Sequence, residues 1–257
     1  MAINITTILR EAASRSAKRN GLILVGIIFV LSLLSGLLGA GIAQYVNQQF
    51  LSVEMQTNAL FVLPPLIAGL LAFIIGVATL VVSIAAIRVF VTDETERLPR
   101  EYFTRNIGWA ALNVIVGTVV FVTAVALGLV ALVIPGIFLL VTLAFWSVFV
   151  AVEGQNFIEG LRSSWGLTRG HRLKLLLLGI AVMLVSVMVE IVFGIGGEIS
   201  GAVGGFVLAQ AASALVTVFS AAALALTYTE LTALREEEGR LSVEEESTSS
   251  REGVESI

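Results

Sequence analysis

Apolar runs too long for the core of a soluble domain dominate the chain. Gly21 to Ala43 is 23 residues without a charge, and Ala59 to Ile87 is 29. Ile107 to Val152 extends to 46, with Pro135-Gly136 in its second half. One helix of that length would measure roughly 69 Å at about 1.5 Å per residue. Bilayer hydrocarbon is only about 30 Å thick, which about 20 helical residues cross. Two spans joined by a tight turn at Pro135-Gly136 fit; one does not. Leu175 to Val189 is uncharged, its apolar character continues past Glu190 to Phe193, and Ile199 to Thr229 adds 31 uncharged residues. The pattern predicts an all-α fold, a six-span transmembrane helical bundle with spans near 21–43, 60–87, 108–133, 136–152, 173–193 and 203–230.

The basic residues orient this bundle, because Lys and Arg are retained in cytoplasmic connections. Arg10, Arg15, Lys18 and Arg19 precede the first span. Arg88, Arg97, Arg100 and Arg105 follow the second, and Arg162, Arg169, Arg172 and Lys174 follow the fourth. Arg235, Arg240 and Arg251 follow the sixth, completing all 15 Lys and Arg residues. The remaining connections carry none. A multi-pass cell-membrane protein with both termini in the cytoplasm accounts for the whole distribution. Small residues at 40–43 resemble a signal-peptide cleavage site, but the apolar run is longer than the usual 7–15 residues, so the first span is read as retained.

Between the spans the period changes from continuous to amphipathic. Residues 1–20 form a cytoplasmic segment in which Ile5, Ile8, Leu9, Ala12, Ala13 and Ser16 recur at three- and four-residue spacing. Such a helix is suited to the lipid interface, with its basic residues near anionic headgroups. Residues 153–174 repeat the theme, with Phe157, Ile158, Leu161, Trp165 and Leu167 as an apolar face, and residues 93–106 are a more polar version. The three suggest a repeating module of one cytoplasmic helix followed by two spans. From 233 to 257 the chain is acidic with little to bury, which predicts a disordered cytoplasmic tail.

Composition narrows the chemistry. Hydrophobic residues make up 57% and charged residues 13%, against about 25% charged in soluble domains. A net charge of −4 disfavours a nucleic-acid partner, since phosphates require clustered excess cations. One His (His171), one Asp (Asp93) and no Cys leave too few ligands for a metal centre and too few partners for nucleophilic catalysis. No cofactor and no enzymatic activity are expected.

Polar groups inside apolar spans are costly and invite a functional reading. Glu190 is the clearest, and a proton or cation site would join it to Glu198, Asn113 or Gln210; the plainer reading has its carboxylate reaching the outer interface. Glu153, at the end of the fourth span, is placed to pair with Arg162, Arg169 or Arg172, or to cap that end in water. Gly197, Gly201, Gly205, Ala209, Ser213, Thr217, Ala221, Ala225 and Thr229 are small and four apart, a spacing that permits close helix approach. The stripe suits packing within the chain or a homo-oligomer; Ser32, Gly36 and Ala40 are a shorter version.

Residues 135–174 carry a wider similarity, at Pro135, Gly136, Glu153, Glu159, Leu161, Arg162, Ser164, Trp165, Leu167, Thr168, Gly170 and Arg172. This segment resembles an uncharacterised multi-span prokaryotic membrane family related to the membrane domain found beside some glycerophosphoryl diester phosphodiesterases. The resemblance implies a helical membrane fold. It implies no reaction, because the phosphodiesterase chemistry belongs to a separate soluble domain. The expected role is a non-enzymatic accessory protein organising membrane lipids or a membrane-protein partner, with Arg162, Trp165, Arg169 and Arg172 as the contact surface. The alternative is a small transporter or channel using Glu190, Asn113 and Gln210.

Overall fold

A computed structural model of the protein describes residues 4–47, 49, 63–92 and 99–255. Its elements are α1 (Ile5–Ala17), α2 (Arg19–Val46), α3 (Pro65–Val91), the single turn α4 (Glu101–Thr104), α5 (Ile107–Ala131) and α6 (Val133–Thr142). A short α7 (Trp146–Val148) and a π-helical turn (Phe149–Glu153) follow, then α8 (Phe157–Leu167) and α9 (Arg172–Glu255). The described residues contain no strand. Among the described residues, five helical stretches are long and apolar enough to cross a membrane: Arg19–Val46, Leu66–Val91, Ile107–Ala131, Val133–Glu153 and Arg172–Leu241.

The last of these is not straight. Gly201 has φ 73° and ψ 179°, a region that a side chain makes costly and that is essentially restricted to glycine. There the helix folds back on itself. A Cβ placed on Gly197 would lie 3.1 Å from the Gly205 Cα, although two helical turns separate these residues. Farther away, Leu178 and Leu224, equally distant from Gly201, line one groove. We refer to residues 172–200 and 202–255 as the two arms of α9.

The second arm is the centre of the packing. Ala214, Val218, Ala222 and Ala225 meet Leu24 and Ile28 of α2, Val82, Ala86 and Val89 of α3, and Ala12 of α1. Lower on the same arm, Tyr228, Leu231 and Leu234 pack with Ile8 of α1, Phe145, Phe149, and Leu175 and Leu178 of the first arm. This seam corrects the register of the expected small-residue stripe, in which Ser213 is exposed. A four-residue step drifts about 40° on a 3.6-residue helix, so the buried line moves to 214, 218 and 222 and then steps by three to 225. Gly36 of α2 does meet a close neighbour: a Cβ there would lie 2.9 Å from the Phe206 ring.

Two further expectations change in detail. The reversal between α5 and α6 is at Leu132 (φ −160°, ψ 136°), and not at Pro135-Gly136, which lie inside α6. Proline is tolerated in a first helical turn because its missing N–H has no intrahelical partner there. Gly136 serves the hairpin instead, since its Cα comes within 2.9 Å of a Cβ built on Gly128. The amphipathic helix near the N-terminus forms as α1, but its apolar face is occupied by the second arm of α9 and not left free. Of the polar segment 93–106, residues 93–98 lie outside the described residues. Of the tail, the backbone from 233 to 255 continues as helix.

The outward faces are strongly apolar: Phe73 is 70% exposed, Met183 65% and Ile199 83%. Gly201→Ala is expected to lower stability by about 1–3 kcal/mol. Gly194→Ala, where a Cβ meets nothing within 4 Å, should change it by less than about 1 kcal/mol, and toward stabilisation. Unfolding of the purified full chain in detergent, followed by circular dichroism, measures both.

Candidate lipid- and partner-contact site

The fourth apolar helix is interrupted, and the candidate surface is built on the interruption. Regular α-helix ends at Thr142, resumes for one short turn at Trp146, widens to a π turn and closes at Gly154 (φ 71°), again a glycine conformation. An interrupted helix frees backbone groups, which in an apolar setting need other partners. Two side chains of α8 supply them. The Ser164 hydroxyl donates to the Thr142 carbonyl at 2.9 Å and accepts from the Phe145 N–H at 3.1 Å. Thr168 donates to the same carbonyl at 3.3 Å. Both side chains are fully buried.

α8 is also held at its N-terminal end. Asn156 and Glu159 form a reciprocal capping box. The Asn113 side chain of α5 accepts from the Phe157 N–H at 3.0 Å and donates to the Trp109 carbonyl at 2.9 Å. Midway, Gly160 comes so close that a Cβ would lie 2.9 Å from the Trp146 carbonyl oxygen. The buried face is therefore Gly160, Ser164, Leu167 and Thr168, whereas Ile158 of the expected apolar face is 57% exposed and Trp165 39%. Small and hydroxyl-bearing residues meet the interrupted backbone, while Leu167, Phe157 and Leu161 pack against the neighbouring apolar clusters. Of the expected apolar face, Leu167 is buried and Phe157 and Leu161 pack against the core, whereas the contribution of Gly160, Ser164 and Thr168, at four-residue spacing, was missed.

Arg88 was also missed as a structural residue. Only 8% exposed, it donates from Nε to the Ala151 carbonyl at 2.6 Å and from Nη1 to the Tyr102 and Arg105 carbonyls at 2.9 and 3.0 Å. One guanidinium thus joins the end of α3, the 99–106 connection and the π turn. Glu153 is exposed at the end of the π turn, and no ion pair joins it to Arg162, Arg169 or Arg172 among the described residues. Its two oxygens accept from the Tyr228 hydroxyl at 2.5 Å and from the Gln155 side chain at 2.7 Å. Tyr228 is in reach because its ring packs edge-on against Phe149.

Of the four expected contact residues, two come together. The Arg172 guanidinium lies 4.7 Å from the centre of the Phe138 ring and 5.1 Å from that of Trp165, and these rings meet edge to face at 5.5 Å. Arg162 and Arg169 are exposed on and just beyond α8. The three candidates for an intramembrane polar site have these surroundings. Asn113 is committed to α8, Gln210 lies against Gly36 of α2, and Glu190 is exposed beside Ile191. Among the described residues no cluster of three or more His, Cys, Asp or Glu is arranged to hold a metal ion.

A family model described as a domain of unknown function, DUF7847, matches residues 3–231. The chain belongs to this family. The DUF7847 match includes α1, the interrupted helix, α8 and most of the second arm of α9. No curated protein and no solved structure matches the chain.

Gly160→Ala pushes α8 away from the Trp146 backbone and is expected to cost about 1–3 kcal/mol. Gly166→Ala, whose Cβ has only the Arg235 guanidinium near it at an ordinary 3.7 Å, should be close to neutral. Comparing their unfolding midpoints in detergent tests the close approach.

Proposed function

We propose that this DUF7847 protein is a six-span integral membrane protein of the cell membrane, with both termini cytoplasmic. Its role is non-enzymatic: it organises lipid or a membrane-protein partner at the cytoplasmic face through Arg162, Trp165, Arg169 and Arg172. The observation that carries this reading is the docking of α8. Hydrogen bonds and a backbone-close glycine hold a helix whose outer side presents Trp165 and Arg162, with Arg169 and Arg172 following. An aromatic ring flanked by cations suits the headgroup layer, where amphipathic rings and long basic side chains are both favourable.

The reversal at Gly201 supports six crossings over five, because 172–200 and 202–255 lie antiparallel and each arm is long enough for a crossing of its own. The retention of every Lys and Arg in alternate connections then follows from six crossings. Transport through Glu190, Asn113 and Gln210 has less support, since the Asn113 side chain is committed to the Phe157 N–H and the Trp109 carbonyl.

Two experiments test the reading. The chain has no cysteine, so Arg169→Cys and Ser200→Cys can be labelled individually in intact cells. An impermeant thiol reagent is expected to label position 200 only; labelling at 169 would overturn the topology. Crosslinking from native membranes should recover a stoichiometric partner or an enriched lipid. Trp165→Ala with Arg162→Ala should reduce that recovery at least about fivefold, and unchanged recovery would remove these residues from the contact surface.

A further inference from the structure

A polar pocket of about 160 Å³ lies where α3 ends and α5 begins, against the π turn. Its mouth is at the surface, since Glu101, Arg105 and Glu153 line it and all three are exposed. Arg88, only 8% exposed, lines it as well. The pocket is therefore a recess at the ends of two apolar helices, with a desolvated cation in its wall.

The joint that Arg88 makes does not use up its guanidinium. Nε and Nη1 carry the three bonds to the Ala151, Tyr102 and Arg105 carbonyls. Nη2 has no hydrogen-bond partner among the described residues and is not fully enclosed. Those three carbonyls fix the guanidinium plane, so the Nη2 donors have a set direction. An oxyanion meeting them forms charge-assisted hydrogen bonds, which are stronger than neutral ones.

Around this cation the charges are balanced. Arg105 lines the pocket beside Arg88, but so do Glu101 and Glu153. Both carboxylates stand on backbone that Arg88 grips, Glu101 just before Tyr102 and Glu153 two residues after Ala151. Glu101 and Arg105 are four residues apart, yet no ion pair joins them among the described residues. A simple anion would meet two carboxylates here, and a simple cation two guanidinium groups. A molecule carrying both charges meets a complement for each.

We propose that this pocket binds a zwitterionic phosphoethanolamine group, its phosphate on Arg88 Nη2 and Arg105 and its primary ammonium on Glu101 and Glu153. A primary ammonium is favoured because carboxylates accept its N–H bonds, whereas a quaternary one has none to give. The volume, below the roughly 300–1,000 Å³ of drug-sized sites, suits a headgroup and excludes acyl chains. Phosphate is favoured over carboxylate by place, since headgroups lie where apolar helices leave the hydrocarbon. The group arrives either on a phospholipid or as free phosphoethanolamine. The site is separate from the Trp165 surface and does not rest on it.

The test uses the full chain in detergent micelles, with lipid binding followed by native mass spectrometry and soluble ligands by calorimetry. The wild type is expected to bind one phosphatidylethanolamine at least about tenfold more tightly than phosphatidylcholine or phosphatidylglycerol of identical chains. The Glu101 and Arg105 side chains make no hydrogen bond or ion pair among the described residues, so replacing them leaves the fold in place. Glu101→Gln should cut the preference over phosphatidylglycerol at least about threefold, and Arg105→Gln should weaken phosphatidylethanolamine about fivefold. Arg88, which joins three elements, is probed through the ligand: ethanolamine should bind at least about tenfold more weakly than phosphoethanolamine.

A preference for phosphatidylethanolamine that both variants keep in full would show that the lipid binds elsewhere and this pocket is wrong. No preference in the wild type, or equal binding of ethanolamine, would overturn the proposal outright. Glycine binding as tightly as phosphoethanolamine would overturn the phosphate assignment in favour of a carboxylate. Soluble phosphoethanolamine that binds as tightly as the lipid, and is weakened by the same variants, would support the pocket with the free molecule as its source.

Discussion

The structure depends on one constraint: the backbone of an apolar helix has been opened between Thr142 and Glu153, and its freed groups need partners. Regular helix satisfies those groups internally, which is why membrane spans are so nearly always helical. Here the satisfaction comes from elsewhere in the chain. Ser164 bridges the Thr142 carbonyl and the Phe145 amide, Thr168 adds a second donor to Thr142, and Arg88 reaches the Ala151 carbonyl from α3. These contacts fix α8 against the interruption and join it to α3 and the 99–106 connection. The position of Trp165, and through it the plane of Arg172, follows from that docking.

The second arm of α9 gives the assembly its centre. Because Gly201 folds the helix back, the same element supplies the seam for α1, α2 and α3 and the floor of the groove beside α6. Tyr228 on this arm donates to Glu153 at the end of the π turn. The interruption is therefore gripped from two sides, by α8 through hydroxyls and by the second arm through a phenol. Small residues on both elements let backbones approach, as membrane helices commonly require. Many bulky apolar side chains, Phe73 and Met183 among them, face outward.

Much of this fold is legible in residue order, because length and hydropathy report the solvent directly. The uncharged runs locate α2, α3, α5 and the arms of α9, and the periodicity of residues 5–16 locates α1. What the pattern conveys poorly is which face meets which partner. In α8 the large apolar residues suggest the buried side, and Leu167, Phe157 and Leu161 do pack inward, yet part of the partner is open backbone, so Gly160, Ser164 and Thr168 are buried beside them while Ile158 is exposed. Likewise Pro135-Gly136 reads as a turn, but a proline fits a first helical turn equally well, and Leu132 makes the reversal. Arg88 looks like a topology signal because a single cation at a helix end gives no hint of three converging carbonyls. Of the expected site, Trp165 and Arg172 meet, although the spacing puts the ring on the apolar face and the cation among the wet residues. Phe138 was invisible as their third member because it lies on another helix.

The most direct test of the docking is hydrogen exchange on the full chain in bilayer nanodiscs, resolved over residues 142–148 and 157–168. With Ser164 in place, both segments should exchange as slowly as the middle of α5. Ser164→Ala combined with Thr168→Val should speed both at least about tenfold while leaving α5 unchanged, since about 1.4 kcal/mol of lost local stability is a tenfold change in opening. Unchanged protection in both segments would show that these hydroxyls do not hold α8 to the interrupted helix, and the account built on them would fail.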